Sequence, residues 1–297
     1  MAELSVFAET KNILGESPFW HKRRQSLFWV DIEEGMLYEQ RLKSGSVTSW
    51  HPGRKISVIL SAEGSYLLVG CQDGIAHLDL ETEKLMIVVP LEADNPTQRC
   101  NDGAFDGQGR IWIGNMDMHC KEGLGSLYCI DESLNPIKQL DNLTIPNGVV
   151  SSVDRSQLYF IDTPTRTVNA YSVAEHGNLA FERTAIVTPT NMGMPDGMAM
   201  DEQGMLWIAL YGGAAIGRWN PLNGQLMETI SIPALHVTNC CFVGDELDQL
   251  VVTSALENLS SDQLSNYPLS GSVFIVRNLG VRGAKMQSHK PSTTFFR

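Results

Sequence analysis

Four polar residues that could together bind a hard metal ion lie in separate segments of the sequence, each near Gly or Pro. They are Glu16, Asn101, Asn147 and Asp196. Their side chains offer carboxylate and amide oxygens, the ligands that Ca²⁺, Mg²⁺ and Mn²⁺ prefer, whereas softer metals favour thiolate or imidazole. Taken singly, each segment is better explained as a turn, because Asn-Gly and Pro-Asp-Gly are common turn sequences. A shared site therefore depends on a fold that brings the four segments together.

A repeated strand pattern predicts such a fold. Six short apolar strands with similar sequences recur at intervals of 39 to 48 residues, which is the period of a four-stranded propeller blade. Asp and Gly mark tight turns before several of these strands, and alternating apolar residues follow most of them. We therefore predict an all-β, six-bladed β-propeller, with a β-sandwich of accidental spacing as the alternative. The six strands begin at Leu27, Tyr66, Ile111, Leu158, Leu206 and Leu250.

The candidate ligands occupy similar positions relative to this repeat. Asn101, Asn147 and Asp196 precede the next apolar strand by 10, 11 and 10 residues, and Glu16 precedes its strand by 11. Equivalent positions in a closed ring of blades point at a common axis, so these side chains should converge. We expect loops that enter the innermost strands to carry them, at one mouth of a central metal-binding channel.

The composition, the N-terminal residues and the cysteines indicate which partners and which cellular location to expect. The 297 residues are 43% hydrophobic and carry a formal net charge of −12, which argues against nucleic acid or an anionic membrane as a partner. Residues 1–10 lack the basic start and apolar run of a secretory signal, and no apolar stretch approaches the roughly 20 residues that span a membrane. The six cysteines show no CxxC pair, so we expect buried free thiols in a reducing cytoplasm. We expect one domain over residues 1–297, as a monomer or weak homodimer.

At the polar segments the sequence resembles the SMP-30/gluconolactonase family. The resemblance covers nearly the whole chain and is carried by a combination of segments, none of which is specific alone. They include Gly15-Glu16, Arg99-x-Asn101-Asp102-Gly103, Asn147-Gly148 and Pro195-Asp196-Gly197. It implies a six-bladed propeller that holds one divalent ion in its channel and hydrolyses a sugar lactone. The implied metal ligands are Glu16, Asn147 and Asp196, and Asp196 is also the implied acid and base. We expect Ca²⁺ as the ion, with Zn²⁺, Mn²⁺, Mg²⁺ and Fe²⁺ as alternatives.

The resemblance also implies which residues bind the substrate. Arg99 and Asn101 match substrate-binding residues of the family, and a lid segment is implied at residues 116–121. His119 stands where family members carry a Glu that contacts substrate, so we take His119 as a third substrate-binding candidate. The alternative is that His119 is a solvated lid residue.

Three functions remain open at the level of sequence. The first is metal-dependent hydrolysis of an aldonolactone such as gluconolactone, arabinonolactone or xylonolactone. The second keeps the fold but acts on a non-sugar ester, an acyl-homoserine lactone or an organophosphate, although Arg99 and Asn101 favour a hydroxylated substrate. The third is a non-enzymatic calcium-binding or scaffolding protein, which would not need an intact ligand set. The sequence contains no Gly-x-Ser-x-Gly elbow and no His-Glu-x-x-His motif that would indicate another hydrolase chemistry.

Overall fold

The computed structural model describes residues 2–174 and 177–285, and the 24 strands in these residues form six four-stranded antiparallel sheets. In chain order the strands are β1 (Glu3–Ala8), β2 (Gly15–His21), β3 (Ser26–Asp31), β4 (Met36–Arg41), β5 (Val47–Trp50), β6 (Ile56–Glu63), β7 (Tyr66–Cys71), β8 (Gly74–Asp79), β9 (Leu85–Pro90), β10 (Gln98–Phe105), β11 (Ile111–Asp117), β12 (Gly125–Ile130), β13 (Pro136–Leu143), β14 (Pro146–Ser151), β15 (Gln157–Asp162), β16 (Thr167–Val173), β17 (Leu179–Val187), β18 (Met194–Met200), β19 (Leu206–Tyr211), β20 (Ala215–Asn220), β21 (Gln225–Ser231), β22 (His236–Val243), β23 (Gln249–Ala255) and β24 (Val273–Arg277). Two 3-10 helices (Thr163–Thr165 and Thr190–Met192) and one short helix, α1 (Ser261–Asn266), lie between strands.

The sheets are the blades of a six-bladed β-propeller, as predicted, and the β-sandwich alternative is wrong. The first strands of the sheets, β2, β6, β10, β14, β18 and β22, contact one another in cyclic order and surround the central channel. Five blades use four consecutive strands. The sixth blade combines β22, β23 and β24 with the N-terminal strand β1, which pairs antiparallel with β24. Pairing between the two ends of the described chain thus closes the ring.

The apolar strands that define the sequence repeat are the second strand of each blade, not the innermost one. Their side chains face neighbouring blades on both sides, so they form continuous apolar runs in the sequence. Asn101, Asn147 and Asp196, which we expect in loops, lie in the innermost strands β10, β14 and β18. These three segments contain Gly, Pro, Asn and Asp, which are rare in strands. They nevertheless pair with the second strands along most of their length.

Asp106 and Asp201 begin two of the tight turns predicted before the apolar strands, and both side chains also bind the blade core. The Asp106 carboxylate accepts a hydrogen bond from the indole of Trp112 at 3.0 Å, and Asp201 accepts one from Trp207 at 3.0 Å. Both tryptophans are fully buried. Because a buried indole N–H without a partner is costly, the Asp at this position stabilises the hairpin beyond its role in the turn.

All six cysteines lie in the described residues and none forms a disulfide. The predicted burial holds for four of the six, whereas Cys241 is half-buried and Cys120 is exposed, because Cys120 lies in the turn that follows β11. None of the helices found in residues 2–174 and 177–285 has both the length and the apolarity needed to cross a membrane.

Candidate active site

Bulges in the innermost strands turn the candidate residues toward the channel. In β10, β14 and β18 two consecutive residues lie opposite a single residue of the second strand, at positions 101–102, 147–148 and 196–197. A bulge redirects side chains and often lies next to an active site. Asn101, Asn147 and Asp196 therefore hold the same register position in three neighbouring blades, as their spacing predicted.

Glu16 reaches the same region from a different register position. It pairs with Val30 ahead of the bulge in β2, and Ser17 occupies the position that matches Asn147. The prediction that Glu16 occupies the same register position as Asn147 is therefore wrong by one residue, because the hairpins after β2 and β14 differ in length. Ser17 has a left-handed backbone (φ +46°), its N–H donates to Glu16 Oε2 at 2.8 Å, and its hydroxyl accepts from Ile59 N at 2.7 Å.

A chain of hydrogen bonds fixes the orientation of the two asparagine amides. Arg99 can only donate, and its Nη1 lies 2.5 Å from the oxygen of Asn101. The Asn101 amide nitrogen donates to Asn147 Oδ1 at 2.8 Å. The Asn147 nitrogen donates at 2.8 Å to the Thr163 hydroxyl, which itself donates to the carbonyl of Pro195 at 2.8 Å. The Oδ1 of Asn147 is therefore held as an acceptor, and one of its lone pairs is left for a ligand.

The Glu16 carboxylate is held from the other side by the sixth blade. Asn239 Nδ2 donates to Glu16 Oε2 at 2.9 Å, and Asn239 Oδ1 accepts from Cys240 N at 2.8 Å. Asn239 needs the space beside Gly197, where an added Cβ would lie 2.1 Å from its Cγ. The Gly after Asp196 is therefore required for close packing between innermost strands, not for a turn.

The site is strongly acidic. Burial, followed by repulsion from Asp102, raises the pKa of Glu16 to about 8. Burial raises the pKa of Asp102 to about 6, and burial with repulsion from Glu16 and Asp102 holds the pKa of Asp196 well above its usual range. Burial lowers the pKa of Arg99, which nearby carboxylates partly restore. Carboxylates forced together in this way favour a proton or a cation between them.

The donor chemistry fits a hard divalent cation. Glu16 and Asp196 supply two carboxylates, and Asn147 supplies the oriented amide oxygen, which is the oxygen-rich set that Ca²⁺ or Mg²⁺ prefers. No group of three or more His, Cys, Asp and Glu suited to a metal occurs in the described part of the chain. The candidate ligand set falls outside that pattern, because its third member is an amide.

The predicted substrate-binding residues separate into two groups. Arg99 and Asn101 are buried beside the acidic groups, as their shared segment suggested. The side chain of His119 is 70% exposed, and its Nδ1 lies 3.5 Å from Asp117 Oδ1. Asp117 itself ends β11 and is buried, so the predicted lid at 116–121 is reduced to the turn that follows this strand.

Sequence reasoning missed several residues of the site. Asp102 lies beside Asn101 in the same bulge, and a carboxylate next to a candidate ligand was a signal that could have found it. Asn239 lies on β22 of the sixth blade, and nothing in the sequence around it indicates contact with Glu16. Thr163 begins the 3-10 helix between β15 and β16 of the fourth blade, and the sequence around it gave no signal of a role in the site.

A cavity of about 710 Å³ with mostly apolar walls runs along the innermost strands on the C-terminal side of the acidic groups. Ser17, Asp102 and Asn239 lie among its lining residues. The acidic groups therefore lie between this cavity and the N-terminal ends of the innermost strands, the end of the channel that we call its mouth.

The family model described as SMP-30/Gluconolactonase/LRE-like region matches residues 14–256, which contain every candidate named above. The chain belongs to this family. Within it, regucalcin from Xenopus laevis is 31% identical over 285 residues, which cover 94% of this chain and 95% of the relative. The 6-deoxy-6-sulfogluconolactonase of Pseudomonas putida is 31% identical over 282 residues, which cover 92% and 94%.

A solved structure of another relative has the same fold. The calcium-binding protein regucalcin from Agrobacterium tumefaciens superimposes with a TM-score of 0.87 at 29% identity, over 94% of each chain. The SMP-30/gluconolactonase membership and the six-bladed architecture predicted from the sequence are both confirmed.

Proposed function

We propose that this protein hydrolyses a sugar lactone to the aldonic acid, with the help of a divalent metal ion. The observation that carries the proposal is the convergence of Glu16, Asp196 and an oriented Asn147 oxygen beside the buried Arg99. The relative named 6-deoxy-6-sulfogluconolactonase supports lactone hydrolysis as the reaction, and the calcium-binding relative supports a divalent ion.

Glu16, Asn147 and Asp196 would hold the ion. When bound, it would polarise the lactone carbonyl and relieve the repulsion between the two carboxylates. Among the described residues, Asn239 and Ser17 hydrogen-bond only Oε2 of Glu16, which leaves Oε1 for this role. Ca²⁺ is the proposed ion, because all three donors are oxygens.

Asp196 is the proposed acid and base. It would take a proton from the attacking water and return it to the ring oxygen as the C–O bond breaks, so that water and lactone together give the hydroxy acid. Because coordination to a dication weakens a carboxylate as a base, Asp196 would accept this proton on the oxygen that does not ligate the ion. The bulge in β18 fixes the carboxylate in the channel.

Arg99 and Asn101 are proposed to bind the substrate. Nη1 of Arg99 is held by the carbonyl of Cys100 at 2.9 Å and by Asn101, which leaves its other N–H groups for a sugar hydroxyl or a developing oxyanion. His119 stays a prediction: from the exposed turn after β11 it could contact only the outer part of a bound substrate.

Proton release from a panel of aldono-1,4- and 1,5-lactones tests the proposal. We expect release that stops with a chelator, returns with Ca²⁺ and falls at least about 100-fold in Asp196→Ala. Asp141→Ala, on the exposed outer strand β13, is the matched control and should keep full activity. Absence of metal-dependent release on every lactone would refute the function, and full activity of Asp196→Ala would refute the site.

A further inference from the structure

Three side chains that the proposed chemistry does not use form a cluster at the mouth of the channel. This mouth cluster consists of Tyr211, His236 and Glu257. Tyr211 ends β19 and pairs with Met194, which lies two residues before Asp196 on the innermost strand. The Tyr211 ring therefore lies on the mouth side of Asp196.

The other two members lie at the same level on the sixth blade. His236 begins β22, three residues before Asn239. The backbone N–H of Glu257 donates at 2.9 Å to the carbonyl of Ile13, three residues before Glu16. The mouth cluster thus lies beside Glu16, Asp196 and Asn239, at the N-terminal ends of the innermost strands.

Contacts inside the mouth cluster hold the Glu257 carboxylate in place. The Tyr211 hydroxyl donates to Glu257 Oε1 at 3.1 Å. The Tyr211 ring stacks on the His236 imidazole, with centroids 4.0 Å apart and planes inclined by 7°. His236 is buried and neither ring nitrogen has a hydrogen-bond partner in the described residues, so its part is to support Tyr211. Oε2 of the half-buried Glu257 has no partner in those residues and remains an open acceptor.

At the mouth of the channel the charged side chains are mainly carboxylates, which accept hydrogen bonds, rather than cations. The charged groups that act most strongly on Asp196 are Glu16, Asp102 and Glu257, all of them carboxylates. Arg99 is the buried cation of the site, and Glu257 is among the carboxylates that act on it. A bound divalent ion would offset the charges of Glu16 and Asp196 but not that of Glu257. Such a surface accepts hydrogen bonds from hydroxyl groups and repels an anionic substituent.

We propose that Glu257, positioned by Tyr211, binds a hydroxyl of the substrate and restricts this protein to uncharged aldonolactones. Lactones that carry a phosphate, sulfonate or second carboxylate would be disfavoured by the same group. The inference rests on the proposed function and adds the substrate class. It implies a preference different from that in the name of the Pseudomonas putida relative, which specifies a sulfonated lactone.

Steady-state kinetics with glucono-1,5-lactone and its 6-phosphate, each with saturating Ca²⁺, tests the inference. For wild type we expect kcat/KM at least about 10-fold higher for the neutral lactone. Glu257→Gln should raise KM for the neutral lactone roughly 10-fold with kcat within about 3-fold, because a hydrogen bond to a charged acceptor is weakened. Tyr211→Phe should change KM in the same direction but less, since it loosens the carboxylate without removing it.

The effect of charge is tested separately. Glu257→Lys should reverse or abolish the preference for the neutral lactone. The control is Glu228→Gln, which removes an exposed carboxylate on the outer strand β21 and should leave both values of KM unchanged. Equal kcat/KM for the two lactones in wild type, or an unchanged KM in Glu257→Gln, would overturn the inference.

A binding measurement separates this failure from failure of the proposed function. Calorimetric titration of the Ca²⁺-loaded protein with glucitol and with glucitol 6-phosphate measures the discrimination without catalysis. Binding of glucitol alone, weakened in Glu257→Gln, would support the inference even if no lactone were hydrolysed. Tighter binding of the phosphate, or binding indifferent to Glu257, would overturn it.

Discussion

Replacing Gly197 by Ala should disrupt the site by displacing Asn239, which lies on the neighbouring innermost strand β22 and is distant in sequence. The added Cβ would lie 2.1 Å from Cγ of Asn239, roughly 1.4 Å closer than two carbon atoms prefer. Asn239 must move, and its 2.9 Å hydrogen bond to Glu16 breaks. Overpacking costs about 1–3 kcal/mol and the lost bond to a carboxylate about 1.5–3 kcal/mol, so we expect a loss of about 3–5 kcal/mol.

Thermal unfolding of the two single variants and the double variant measures this coupling. At about 2 °C per kcal/mol for a chain of this size, Gly197→Ala should lower Tm by roughly 6–10 °C. In the Asn239→Ala background the clash is gone, and the same substitution should cost less than about 1 kcal/mol. Gly45→Ala is the control, since its Cβ would meet no atom within 4 Å. An equal cost of Gly197→Ala in both backgrounds would refute the reasoning.

Three further predictions concern the acidic groups and the oriented Asn147 amide. In the metal-free protein, burial raises the pKa of Glu16 to about 8, so the folded state binds a proton that the unfolded state releases above its ordinary pKa of 4.5. The resulting stability is present below pH 4.5 and is lost as the pH rises through 8, so Tm in chelator should fall from pH 5 to 8. Glu16→Gln should flatten this slope, and a slope equal to that of wild type would contradict the assignment. Ca²⁺ at 100 times its Kd should stabilise the protein by about 2.7 kcal/mol in calorimetry, and Asp196→Ala should abolish the effect; an undiminished rise in Tm would place the ion elsewhere. Thr163→Val frees the Asn147 amide to rotate and should weaken Ca²⁺ affinity about 10–100-fold in titration calorimetry, whereas unchanged affinity would mean that the hydrogen-bond chain does not orient the ligand.

The sequence predicted the blade architecture because the second strands carry a strong signal. Strands such as those starting at Leu27 and Ile111 are buried on both faces, so their apolar runs recur at the blade period. The innermost strands gave no comparable signal. Their Asn, Asp, Gly and Pro residues suit the channel and the bulges, and such residues indicate loops when strand propensity is the only guide.

The spacing of Asn101, Asn147 and Asp196 in the sequence predicted that they meet, because equivalent positions in a ring of similar blades lie close together around the central axis. Spacing misplaced Glu16 by one residue, because hairpin length varies between blades. Spacing could not find Asn239 or Thr163, whose roles depend on hydrogen bonds between blades that are distant in the chain. The exposure of His119 likewise depends on where the turn after β11 projects.

By itself, the sequence determined the fold class, the family and the residue types that can bind a hard cation. These are properties of local pattern and repetition, which a linear sequence records directly. Only the tertiary structure decided which oxygen of Asn147 is held as an acceptor, why Gly197 must lack a side chain, and which carboxylates repel one another. It also brought Glu257 to the mouth of the channel, because the loop that carries it is hydrogen-bonded to Ile13 in the segment that precedes β2. Such effects arise between segments distant in the chain, and the closure of the propeller ring brings those segments into contact.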